Sequence, residues 1–402
     1  MRFAAIARRV LPRRRHLGLL LAAGLAVTGT PTPAHAAIPL VSITPAPAVT
    51  FDGLVYTSAY VGTTIYVGGS FRNAIVNGRS VVRKRLAALD ARTGELLPWA
   101  PVADGTVFGL TASGVSLYIT GKFKTVGGQA RPGLADINLK TGVVGKLKHT
   151  VSGGNVLTAG GGRLFLGGAF STVDGRAEKN LAAFRLTDGA LDTTFRGEAD
   201  GQVKALTVAG SRLYVGGGFK RLNGAANTAR LGALALADGQ VDTGFRSNTP
   251  YPVGGLAVTA DRVFAGQGGP GGRVAAYTPD GSFLWSSVTD GDVQAMTYLR
   301  GVVYAGGHWD VACPKPSATA TSWCPTTLRS QPKLIALDAA TGVLQDWNPR
   351  SNGKWGVLTM DANALLGSIA VGGEFTAFAG RSTPHFAQFC IYGCGGSGRS
   401  AR

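Results

Sequence analysis

The chain has 402 residues, 60 of them glycine, with 40 Lys and Arg against 22 Asp and Glu and a formal net charge of +18. That is long enough for a full core and basic enough to favour polyanionic partners. The basic residues are scattered, so they serve solubility as readily as a specific partner. No apolar run is long enough to cross a bilayer.

In chain order, Arg2, Arg8, Arg9 and Arg13 to Arg15 form a basic head, Leu17 to Val27 an apolar run, and Ala34-His-Ala36 a small-x-small cleavage signal. Residues 1–36 therefore read as a signal peptide for the general secretory route, with the mature chain starting at Ala37. This predicts a secreted, extracellular protein. Six positive charges leave with the leader and no acid does, so about +12 remains.

A short apolar motif then recurs. Its copies are Ile65-Tyr-Val-Gly-Gly-Ser-Phe71, Leu117-Tyr-Ile-Thr-Gly-Lys-Phe123, Arg163-Leu-Phe-Leu-Gly-Gly-Ala-Phe170, Arg212-Leu-Tyr-Val-Gly-Gly-Gly-Phe219 and Ile369-Ala-Val-Gly-Gly-Glu-Phe375. Val263 to Gly269 and Val303 to Trp309 are weaker copies. A spacing of roughly fifty residues signals a repeat array.

One full unit starts near Gly201. Gln202 to Val208 alternates and is rich in β-branched residues, Arg212 to Phe219 follows a turn, and Arg230 to Leu236 follows a polar loop. Ala237-Asp-Gly239 is a hairpin signal leading into Gln240 to Phe245. Four short strands per unit, with no amphipathic helix, describe a propeller blade. Gly216 and Gly217 are expected to let neighbouring blades approach, and the following aromatic to fill the gap between them.

First strands are expected near Leu54, Thr106, Asn155, Gln202, Val253, Asp292 and Lys354. The fold class is thus all-β: a seven-bladed β-propeller of four-stranded antiparallel blades spanning 37–394. The last unit ends at its third strand, Phe386 to Ile391, while Val41 to Val49 matches the end of a repeat. The N-terminal strand is therefore expected to complete the last blade and remove an open sheet edge. Residues 395–402 read as a disordered tail.

The sixth unit carries an insertion over about 308–329. The four cysteines fall in two local pairs, Cys313/Cys324 and Cys390/Cys394, and two disulfides are predicted.

The glycine-aromatic motif is followed by a Gly five residues later (Phe123/Gly128, Phe170/Gly175, Phe219/Gly224, Phe375/Gly380) and by a Leu-Ala-x-Leu strand with a Thr-Gly or Asp-Gly turn. In this it resembles the secreted bacterial delta-60-type β-propeller repeat, and also the fungal cell-surface propellers that mark cortical sites. The first blade departs, with Gly78 seven residues past Phe71. The resemblance implies a fold, not a reaction. Ala88 to Trp99 and Ala336 to Trp347 are similar to the tryptophan-docking repeat of quinoprotein dehydrogenases, but Trp lies five residues past the Gly instead of four, and only these two blades keep it.

Outside the leader there are three histidines, His149, His308 and His385, with no paired metal-ligand spacing. Neither a cofactor nor a metal is expected. Candidate ligand contacts are His308, Trp309, Asp310 and Trp323 at the insertion, the junction acids Asp104, Asp200 and Asp290, and Arg131 and Arg230 in the loops between second and third strands. Asp52 belongs with the acids, and Arg85, Arg176 and Arg381 with the arginines. Their structural reading is a set of Arg–Asp pairs joining blades. The sequence predicts a non-catalytic, monomeric binding module at the cell surface or outside the cell. Its partner would be an anionic cell-wall polymer or polysaccharide, or a protein, and no specific nucleic-acid motif is present. The alternative is a secreted enzyme: a polysaccharide lyase or hydrolase, or a divergent quinoprotein.

Overall fold

The computed structural model describes residues 38–394. The expected signal peptide and the tail 395–402 lie outside the described residues. Among those residues every regular element is a β-strand, and none is a helix long and apolar enough to cross a membrane.

Seven sheets share one plan. Their first strands are Val55–Val61, Thr106–Ser113, Gly154–Gly160, Val203–Ala209, Val253–Val258, Val293–Leu299 and Val357–Asn363. Each turns into the strand carrying the glycine motif, and a third strand follows on the far side, all antiparallel. In the fourth sheet these are Arg212–Gly217 and Leu231–Ala235. Every first strand packs beside the first strand of the next sheet, and Val357–Asn363 packs beside Val55–Val61. In all seven the register shifts once near the start of the first strand, for instance between Val203 and Ala205.

The fourth strand is less regular than expected. The fifth sheet has a full one, Phe283–Thr289. In the first, third, fourth and sixth sheets its place is held by a single bridge, such as Phe184 to Leu191 or Leu234 to Val241, and the second adds to its bridge only the two-residue strand His149–Thr150. The cause is local. Asp192 and Asp242 accept the backbone N–H two residues on, at 3.0 and 2.8 Å, and so turn the chain away. Pro98 in the first sheet cannot donate to a ladder. In the seventh sheet the N-terminal segment lies at this edge: Ser42 N–H donates to Cys390 O at 2.9 Å, and Ala46 N–H to Gln388 O at 2.8 Å. It forms no regular strand there. Trp347 Nε1 of the sixth sheet also donates to Ser42 O, at 3.1 Å.

The core is divided among the gaps between sheets. Tyr214, Leu231 and Ala233 of the fourth sheet share a cluster with Val253, Val263 and Ala265 of the fifth. Seven such clusters occur, and the one holding Val55, Ile65 and Val67 also holds Ala370 and Phe386 of the seventh sheet. The motif aromatics Phe71, Phe123, Phe170, Phe219, Trp309 and Phe375 are all buried in these clusters. Each buried aromatic contributes about 1.5–3 kcal/mol.

The two glycines have different tasks. A Cβ on Gly216 would stand 2.7 Å from Val253 Cγ1 of the next sheet, so this glycine is the interface position. A Cβ on Gly217 would stand 2.1 Å from Gln202 O within its own sheet. Only the first admits the neighbouring sheet, so the shared role expected for both holds for one.

Candidate functional site

The seven first strands surround a cavity of about 220 Å³, lined from every one of them. Tyr56, Phe108, Asn155, Lys204 and Gln294 are partly exposed on this lining. The Tyr56 and Phe108 rings meet edge to face, 5.3 Å apart. Lys122 Nζ lies 5.9 Å from the centre of the Phe108 ring. On the other side of the first sheet, Gln294 and His308 Nδ1 are 2.8 Å apart, and the His308 ring meets the exposed Trp355 edge-on at 6.1 Å. Lys354 lies 5.5 Å over Trp355, and Glu374 accepts the Trp355 N–H. A second cavity of about 290 Å³ shares Lys204, Gly254 and Gln294 with the first and is bordered by Asp292.

The junction acids do not form a ligand ring of free carboxylates. Asp104 Oδ1 accepts the N–H groups of Lys124 and Thr125 at 2.8 and 3.0 Å. Asp200 does the same for Lys220 and Arg221, Asp290 for Asp310 and Val311, and Asp52 for Arg72 and Asn73. Each carboxylate thus clamps the start of the loop that follows the glycine motif. Partial burial acts to raise the pKa of Asp52 and Asp104, but the N–H donors outweigh it and hold both below the usual value.

The expected Arg–Asp pairs are replaced by other contacts. Arg131 is buried, and its guanidinium donates to Gly145 O at 2.7 Å and Gln129 Oε1 at 2.9 Å. Arg85 donates to Ser70 O and Phe71 O, and Arg176 pairs with Glu178 at 3.6 Å. Arg230 has a left-handed backbone, φ 66°, and its N–H donates to Phe219 O at 3.0 Å. Among the described residues no ion pair joins these arginines to the junction acids. Arg85 and Arg131 spend their guanidinium donors on backbone carbonyls close in sequence, and Arg176 on Glu178, instead of on the junction acids.

The insertion does not gather its candidates at one point. His308 faces Gln294, Trp309 is buried in the core, and Asp310 accepts Lys333 Nζ at 2.8 Å. The loop beyond lies along the last strand of the fifth sheet, where Cys313 N–H donates to Val288 O and Ser317 N–H to Ser286 O. The buried Arg273 holds it through Ala320 O at 2.7 Å, while Trp323 stays half exposed. Cys313–Cys324 and Cys390–Cys394 are both disulfides. The other two histidines are elsewhere: His149 Nδ1 is 2.6 Å from Asp174, and His385 Nδ1 is 3.0 Å from Gly373 O. Among the described residues no group of three or more His, Cys, Asp or Glu is arranged to hold a metal.

A family described as a β-propeller domain of unknown function (DUF5122) matches residues 162–195, the second and third strands of the third sheet and the segment that follows. The WD40 β-propeller domain of Doa1 superposes with a TM-score of 0.55 at 11% identity, covering 86% of this chain and 95% of that one. The computationally designed protein Ika8 superposes with a TM-score of 0.50 at 14% identity, covering 86% of this chain and 100% of that one. No curated protein matches the sequence. The fold is therefore of the β-propeller kind. At such identities the likeness extends to the fold alone.

Proposed function

We propose that this protein is a secreted, non-catalytic β-propeller of seven blades that binds a partner at the cell surface or in the extracellular space. In this reading each sheet is a blade with a reduced fourth strand, and residues 41–49 supply the outer edge of the last one. The backbone bonds from Ser42 and Ala46 to the seventh sheet support that closure, and two disulfides fit an extracellular address. The observation that carries the binding role is the cavity reached by all seven first strands, with Tyr56, Phe108 and Lys204 on its lining and Lys122 beside Phe108. A rigid repeated wall around non-identical side chains is how such scaffolds bind. An anionic cell-wall polymer or polysaccharide fits a chain with so many surplus lysines and arginines. The junction acids, Arg131, Arg230 and the insertion then act as supports for the cavity edge.

The test is co-sedimentation of the purified chain with acidic polysaccharide and with neutral polysaccharide. The expected result is retention on the acidic polymer that falls steeply between low and moderate salt. Equal retention on both, or none on either, rejects the reading.

A further inference from the structure

The register shift in each first strand has a common consequence. It leaves one extra residue between two that pair with the neighbouring strand. These residues are Tyr56, Phe108, Asn155, Lys204, Gly254, Gln294 and Leu358. All seven line the cavity, and none is buried. A bulge re-aims one side chain while the strand on either side stays paired.

The chemistry at this position is what sets it apart. Two residues further along, the first strands carry Leu110, Leu157, Leu206, Leu256, Met296 and Met360, with Ser58 in the first. In six of the seven units that position is apolar, and Leu110, Leu157, Leu206, Met296 and Met360 join the buried clusters between sheets. The bulge tier does not repeat at all: it holds two aromatics, two amides, one lysine, one glycine and one leucine. An array keeps a position uniform when it serves packing. A tier that differs in every unit, yet points to one cavity, reads a ligand that has no sevenfold symmetry.

We infer that this tier binds an acidic sugar, with a sugar ring on Tyr56 and Phe108 and its carboxylate at Lys204. This rests on the binding role proposed above. The two rings stand at 80° to each other, so they offer no slot for a flat base, whereas the C–H face of a sugar packs on a single ring. Among the described residues Lys204 has no carboxylate partner. Asn155 and Gln294 offer both donors and acceptors, as sugar hydroxyls require. No Arg is among the residues lining the cavity, so the guanidinium fork that suits phosphate is not part of it.

The experiment is calorimetric titration of the full chain with trigalacturonate, maltotriose and glucose 6-phosphate. Lys204→Gln, Phe108→Ala and the exposed remote control Lys140→Gln are compared after matching their thermal melts to the parent. The expected result is binding of trigalacturonate only, weakened about tenfold or more by Lys204→Gln and by Phe108→Ala, and unchanged by Lys140→Gln. Trigalacturonate binding that neither cavity variant weakens overturns this inference and leaves the proposed function standing. Maltotriose or glucose 6-phosphate binding as well as trigalacturonate overturns the choice of a carboxylate. If the parent chain binds no acidic saccharide, in this assay or by co-sedimentation, both readings fall.

Discussion

Two interfaces between sheets solve one packing problem in opposite ways. Between the fourth and fifth sheets, Gly216 makes room for Val253. The same glycine-to-valine contact recurs as Gly68 to Val107, Gly167 to Val203, Gly266 to Val293, Gly306 to Val357, and Gly372 to Val55 where the last sheet meets the first. Between the second and third sheets the partners are exchanged. Thr120 stands where the others have glycine, and Gly154 stands where the others have valine, so that a Cβ on Gly154 would lie 2.2 Å from Thr120 Oγ1. The difference teaches that volume across the gap is what is held constant, not the residue on either side. The Thr120 hydroxyl, buried by this exchange, donates to Gly133 O at 2.8 Å and so is not left unpaired.

The comparison can be broken most forcefully at the ordinary interface. Gly216→Val puts two branched side chains into space for one, and should cost about 3 kcal/mol or more in urea unfolding. A loss under about 1 kcal/mol would mean the sheets are not held at this spacing. The exchanged interface offers a sharper version. Gly154→Val alone should cost about 2 kcal/mol, and adding Thr120→Gly should recover most of it, a coupling of at least about 1 kcal/mol in a double-mutant cycle. Strictly additive effects would refute the exchange.

Smaller effects separate two kinds of acid beside these interfaces. Asp104→Ala removes the acceptor of two N–H groups and should cost about 1–2 kcal/mol near neutral pH. Because the folded pKa is lowered from 3.8, that contribution is present above about pH 4. It is lost as the pH falls through the folded value, so parent and variant melts should converge under strong acid. Asp361 behaves in the opposite sense. It sits on the first strand of the seventh sheet and accepts the Tyr60 N–H of the first sheet at 2.7 Å, and burial pushes its pKa up to about 6. Its folded state favours the protonated form, so stability falls as the pH rises from 3.8 through about 6. Asp361→Asn keeps an acceptor for Tyr60 and removes the charge. It should gain about 1 kcal/mol at pH 7 and nothing at pH 3.5, read from melts at the two pH values. A gain that does not change with pH would rule out the charge as its source.

Much of the fold was legible in the residues. Period-two patterns, Asp-Gly and Thr-Gly turns and the glycine-aromatic motif mark each unit, because strand and turn signals act over a few neighbours. First strands expected at Thr106 and Val253 start at those residues, while that expected at Lys354 starts at Val357. Asn352, which accepts the N–H groups of Thr376 and Ala377, and the turn at Gly356 (φ 60°) delay the last strand.

The candidate site was far less legible. Asp104 and Asp200 were visible as turn residues, but their partners lie about twenty positions downstream, across a pairing that only the folded sheet brings together. Tyr56, Phe108, Asn155, Lys204 and Gln294 look like ordinary strand positions until the register shift turns them towards the cavity. The sequence by itself determined the first three strands of each unit, the turns and the repeat, since those follow from local periodicity and backbone preference. Tertiary structure alone decided which glycine faces a neighbouring sheet, where the Cys313–Cys324 loop lies, and which side chains line the cavity. Each of those depends on what stands opposite in space, and the opposite partner is remote in the chain.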